Sequence, residues 1–92
     1  MKKITQYMYP AVFIKGEEEI GVTFPDLNIT TSGDNFEEAF LLAKDYLRVY
    51  CSYAQKFEFE MQKPTLFDIV SRANCLNTTM LIDAIIFPED IK

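Results

Sequence analysis

Apolar residues fall on both faces of Tyr9-Pro10-Ala11-Val12-Phe13-Ile14, which reads as a strand with Ala11 and Phe13 on one side and Val12 and Ile14 on the other. A strand apolar on both faces belongs at the centre of a sheet or beneath two covering layers. Pro10 fits only near its beginning, where no ladder hydrogen bond is lost. Residues 1–8, polar with scattered apolar positions, read as a lead-in. Lys15-Gly16-Glu17-Glu18-Glu19 makes a hairpin turn, and Ile20-Gly21-Val22-Thr23-Phe24 then alternates, with Ile20, Val22 and Phe24 sharing a face. Pro25 stops that strand, and Asp26 suits a turn in which its side chain bonds nearby backbone. Ile29-Thr30-Thr31-Ser32, β-branched but half polar, suits a third strand at a sheet edge, with Gly33 ending it.

The period then changes to that of a helix. Asn35 and Glu38 stand at capping-box spacing, and Glu37 and Glu38 suit the positive end of a helix dipole. Phe36, Ala39, Phe40, Ala43, Leu47, Tyr50 and Ala54 recur at helical spacing over residues 36–55, against Glu37, Lys44, Asp45, Arg48 and Ser52. Leu41 and Leu42 widen the apolar stripe beyond what one sheet needs.

Residues 56–63 alternate Phe57, Phe59 and Met61 with Glu58, Glu60 and Gln62, a pattern open to strand, extended connection or fraying helix. Pro64-Thr65 opens a short turn or helix through Leu66, Phe67, Ile69 and Val70. Residues 73–78 read as loop. Residues 79–87 make the last strand, with Met80, Ile82, Ala84 and Ile86 on one face and Leu81, Asp83, Ile85 and Phe87 on the other, and Pro88 stops it. The second of these faces is apolar around one carboxylate. With the helix on one side of the sheet only, it becomes a candidate contact surface, unless a long loop covers it. The pattern as a whole gives an α+β fold in the order β-β-β-α-β, a small sheet with one long helix packed on one face. The 92 residues make a single domain, 1–92.

Composition sharpens this. The chain is 49% hydrophobic with eight Phe and five Tyr, so either the core is dense in aromatics or a second chain covers some of them. Net charge is −5, from nine Lys and Arg against fourteen Asp and Glu, which disfavours nucleic acid and favours a basic protein partner. There is no His, the commonest general base and metal ligand. Cys51 and Cys75 stand far apart and read as buried reduced thiols. Lys2-Lys3 and the apolar residues after it lack a cleavage site, and no run approaches a membrane span, so a cytoplasmic protein is expected. Asn28-Ile29-Thr30 and Asn77-Thr78-Thr79 match a glycosylation pattern that has no meaning in that compartment.

Three separated elements carry a resemblance. Tyr9-Pro10-Ala11-Val12 in the first strand, Phe24-Pro25-Asp26-Leu27 after the second, and Gly33-Asp34-x-x-Glu37-Glu38-Ala39 with Ala43-Lys44 together resemble the HicB-like antitoxin family over residues 7–50. Pro64 and the closing strand give a looser echo. The resemblance implies a partial ribonuclease-H-like layer of sheet and helix. It implies a binding protein, not an enzyme, that neutralises a small basic mRNA-cleaving toxin by covering its active site. The Gly-Cys element often found after the second strand is absent. So is the C-terminal DNA-binding module of many members, so direct DNA binding by this chain is not expected.

The candidate partner-binding residues are Glu17, Glu18 and Glu19 on the hairpin, Asp26 at the turn, and Leu81, Asp83, Ile85 and Phe87 on the last strand. A solvated hairpin and a plain turn residue are the simpler readings of the acidic ones. The alternative function is an orphan oligomeric adaptor, since small sheets with apolar second faces pair as homodimers or higher oligomers. A metal-dependent nuclease would need Asp26, Glu38 and Asp83 to converge, yet the first strand lacks an acidic anchor for such a site. No cofactor and no metal are expected, and no nucleophile has a histidine to activate it.

Overall fold

The structure, a computed structural model, describes residues 4–87. Its elements are β1 (Thr5–Lys15), β2 (Ile20–Phe24), β3 (Ile29–Gly33), α1 (Phe36–Lys56), α2 (Phe67–Ala73) and β4 (Thr78–Ile86). The four strands form one antiparallel sheet in the order β3-β2-β1-β4. The α+β order read from the periodicities is the observed one, with the short α2 inserted before β4. The readings of Lys2-Lys3 and of Pro88 lie outside the described residues.

β1 is central because both of its faces are apolar and both are covered. On one face Tyr9, Ala11 and Phe13 join Val22, Phe24, Ile82, Ala84 and Ile86 beneath Ala39, Ala43, Leu47 and Cys51 of α1. Burying each large aliphatic or aromatic side chain here contributes about 1.5–3 kcal/mol. On the other face Pro10 and Val12 are fully buried although they lie outside that core. α2 packs mainly against β4 and β1 and buries Val70, which like Pro10 and Val12 lies outside the α1 core, so it covers this second face. The chain therefore crosses from one side of the sheet to the other between α1 and α2.

β1 begins at Thr5, not Tyr9 as the lead-in reading held. The extra turn-free length is fixed from outside, since Thr5 pairs with Ile86 and Tyr7 with Ala84 along β4. Gly33 does end β3, but from inside it, as the buried last residue paired with Ile20. A Cβ there would lie 2.5 Å from the Ala39 nitrogen and 2.8 Å from its Cα, so glycine lets the start of α1 lie against the sheet.

α1 starts where the cap spacing puts it. The Glu38 N–H donates to Asn35 Oδ1 at 2.9 Å, while the Glu38 carboxylate accepts from the Asp34 N–H at 2.9 Å, one residue earlier than a standard capping box. The helix ends as Glu58 takes a left-handed conformation, φ 53°. Residues 59–66 are an extended strap without regular structure, which settles the ambiguous alternation of Phe57, Phe59 and Met61.

Candidate partner-binding surfaces

The sequence-derived site residues do not form one patch. Glu17, Glu18 and Glu19 are exposed on the turn between β1 and β2, closed by a Gly16 N–H bond of 2.8 Å to the Glu19 carbonyl. Ile85 and Phe87 lie at the other end of the sheet. The register runs from Phe13–Thr78 to Thr5–Ile86, a span of about 27 Å at ~3.4 Å per residue. Leu81, Ile85 and Phe87 keep 40–46% of their surface and, with Met8 on β1, leave an apolar strip beyond the cover of α2.

Asp26 does something other than hold its own turn. Its carboxylate accepts from the backbone N–H of Thr65 at 2.9 Å and from the Thr65 hydroxyl, 39 residues away. It ties the strap to the β2–β3 turn. Tyr9 ties the same strap by donating its hydroxyl to the Gln62 carbonyl. Burial, and after it Cys51, Asp26 and two neighbouring tyrosines, pushes the Tyr9 hydroxyl above its usual range.

Asp83 is also occupied. Lys44, read from the sequence as lying on the solvent side of the helix, reaches around β4 to the Asp83 carboxylate and, at 3.2 Å, to its backbone carbonyl. Hydrogen bonding from Lys44 holds the Asp83 carboxyl below the usual carboxylate range. Asp26, Glu38 and Asp83 thus each serve a separate local tie. Among the described residues no three His, Cys, Asp or Glu converge where a metal ion could sit.

The two thiols differ. Cys51 is fully buried, and desolvation pushes its pKa up to about 12. Cys75 is exposed, contrary to the reading of both as buried, because it lies in the turn after α2.

A second apolar surface escaped the sequence reading. Tyr46, Val49, Tyr50 and Tyr53 follow one another at three- and four-residue spacing on α1, beside the stripe that enters the core. With Phe59 from the strap and Ile29 from β3 they line a cleft of about 330 Å³. Phe59 stands edge-on to Tyr50, ring centroids 5.8 Å apart. Tyr46, Val49 and Tyr53 remain about half exposed, at 47–57%. Of these four, the sequence periodicity places only Tyr50 on the apolar side of the helix. Nothing local says that β3 stops short and leaves its neighbours uncovered.

Among the described residues no helix is long and apolar enough to cross a membrane. No family model and no curated protein matches the sequence. The fold is nevertheless that of a solved chain: the structure is similar to one described as "Toxin-Antitoxin complex from Streptococcus pneumoniae", with TM-score 0.73 and 16% identity over 87% of this chain and 69% of that one.

Proposed function

We propose that this chain is a HicB-like antitoxin-type protein that binds and neutralises a small basic, mRNA-cleaving, HicA-like toxin by covering its active site. The observation that carries the reading is the fold likeness to a chain of a toxin–antitoxin complex, at a TM-score of 0.73. The three motifs at Tyr9-Pro10-Ala11-Val12, Phe24-Pro25-Asp26-Leu27 and Gly33-Asp34-x-x-Glu37-Glu38-Ala39 point the same way from the sequence. A net charge of −5 and exposed apolar surface suit a basic protein partner. The chain acts by binding, not by catalysis, and its nine Lys and Arg against fourteen acidic residues do not suit direct contact with DNA.

A second reading, an oligomeric adaptor without a toxin, is favoured by one feature. Met8, Leu81 and Ile85 are 40–47% exposed on the sheet face opposite α1, a surface that a second copy would cover in a homodimer or higher oligomer. Affinity capture from native lysate at low and high salt separates the two. The antitoxin reading expects one small basic protein, released by salt, that cleaves mRNA when freed. A stable homodimer by light scattering, with no ribonuclease retained, supports the adaptor.

A further inference from the structure

α2 is apolar on two sides, and only one of them meets its own sheet. Val70 is buried against β1 and β4, whereas Leu66 at the N-cap and Ile69 in the first turn remain 71% and 55% exposed. Three residues apart, these two are neighbours on the helix surface and form an outward ridge. A helix apolar on more than one side belongs between two layers, and seven residues are too few to stay helical in water without packing. Beside α2, on the same face of the sheet, the strip of Met8, Leu81, Ile85 and Phe87 stays open. From Leu81 to Ile85 it runs about 14 Å at ~3.4 Å per residue. α2 is about 11 Å long at ~1.5 Å per residue, so the strip has room for one more such helix.

The charge on this face selects the occupant. Val12 pairs with Thr23 and Ile14 with Gly21, while Thr23 pairs with Thr30 and Gly21 with Ser32, so β2 and β3 present only glycine and hydroxyls beside the strip. Among the described residues Asp83 is the one charged strand residue of this face, and Lys44 pairs with it. α2 adds Asp68 and Arg72, which cancel. A chain of net charge −5 therefore has one face where a second copy meets no net charge. A basic partner, in contrast, finds no excess of carboxylates there to bind. The area agrees. Met8, Leu66, Ile69, Leu81, Ile85 and Phe87 leave roughly 600 Å² open, at ~200 Å² for a fully exposed large side chain. Two copies together would cover about 1,200 Å², the lower bound of a stable interface.

We propose that two copies pair about a two-fold axis through this face, the Leu66–Ile69 ridge of each α2 lying on the Met8–Ile85 strip of the other. Each copy carries both halves, so one contact made twice closes the pair and leaves neither half open. The two sheets then enclose both short helices as a shared inner layer, and each β4 face is complete only with its partner's α2. α1 and its carboxylates stay on the outside. The inference goes beyond the antitoxin reading. It rests on the oligomeric reading for the second copy and adds how the copies meet.

Sedimentation equilibrium of the whole chain tests this. Wild type is a dimer at micromolar concentration, and raising salt does not weaken it, because the contact is neutral. Ile69→Lys and Ile85→Glu, both at exposed positions that leave the core intact, each weaken the dimer at least about tenfold. An equimolar mixture of the two variants pairs at least about tenfold more tightly than either alone. One of its two contacts is then wild type, and the other sets an ammonium against a carboxylate. Val49→Asp, on α1, changes the constant less than about twofold. A wild-type monomer overturns the arrangement and leaves the antitoxin reading standing. A dimer indifferent to both substitutions, or a mixture no tighter than its components, leaves an oligomer of another kind and also overturns the arrangement. A dimer with the expected responses that neutralises no ribonuclease supports the arrangement, and the antitoxin reading falls.

Discussion

Replacing Gly33 by alanine tests how closely α1 is held to the sheet. Gly33 lacks a positive φ, so its backbone conformation is open to any residue and the usual reason for a glycine does not apply. The cost is one of space. The new Cβ would lie 2.5 Å from the Ala39 nitrogen, 2.8 Å from its Cα and 2.9 Å from the Glu38 carbonyl carbon, where ordinary contact begins at 3.4 Å. All three are backbone atoms, so no side chain can swing away, and the first turn of α1 must move by about 0.9 Å, the difference 3.4 − 2.5. Such overpacking costs ~1–3 kcal/mol. The same movement pulls Glu38 from the Asn35 cap, worth about 1 kcal/mol more. The lower chain entropy of alanine in the unfolded state returns ~0.4–1 kcal/mol. The net is about 1–3.5 kcal/mol, or a fall in Tm of roughly 5–25 °C for a domain of this size. Gly21→Ala is the control, since its nearest contact would be an ordinary 3.8 Å to the Ile14 carbonyl, and it is expected to change stability by less than about 0.5 kcal/mol. Thermal and urea melts of both variants measure this. Equal stabilities for the two alanine variants would refute the account of how α1 meets the sheet.

Asp26→Ala removes both bonds to Thr65 and should cost about 1–2 kcal/mol while raising the rate of proteolysis within the 59–66 strap. Unchanged cleavage would mean the strap is held by other contacts. Asp83 has a lowered pKa in the folded state, so its contribution is present above its unfolded pKa of ~3.9 and is lost as pH falls through the lower folded value. Asp83→Asn should therefore be less stable than wild type by no more than about 1 kcal/mol at pH 7, since the pair is partly exposed, and the difference should shrink away as pH falls below the unfolded value and through the lower folded one. A constant difference across that range would exclude the ion pair as its cause. Iodoacetamide should modify Cys75 alone in the native protein and both thiols in denaturant, because only a thiolate reacts and Cys51 is buried with a pKa of about 12. Native modification of Cys51, read by peptide mass, would mean that α1 opens.

The elements with strong local periods were legible in the sequence: Ile20–Phe24 alternating, α1 with its Asn35 cap, and the last strand with Ile82, Ala84 and Ile86 on its core face. What was not legible depends on pairings far apart in the chain. Thr5 to Met8 look like a polar lead-in until β4 lies beside them. Lys44 looks like a solvated helix residue because Asp83 is 39 positions away, and Asp26 looks like a turn residue because Thr65 is equally distant. Gly33 marks the end of β3, but its sequence does not show why glycine is needed there, since a strand end and a close approach of α1 leave the same single letter. The candidate surfaces divide similarly. The apolar second face of β4 follows from its alternation, whereas the cleft beside β3 needs the knowledge that β3 ends the sheet under only part of a 21-residue helix.

The decisive measurement is a titration of messenger-RNA cleavage by the captured basic ribonuclease against increasing amounts of this chain. An antitoxin that covers the active site predicts loss of cleavage that is complete at a fixed stoichiometric ratio and weakens as salt rises. Cleavage that continues undiminished at a large excess of folded chain would contradict it.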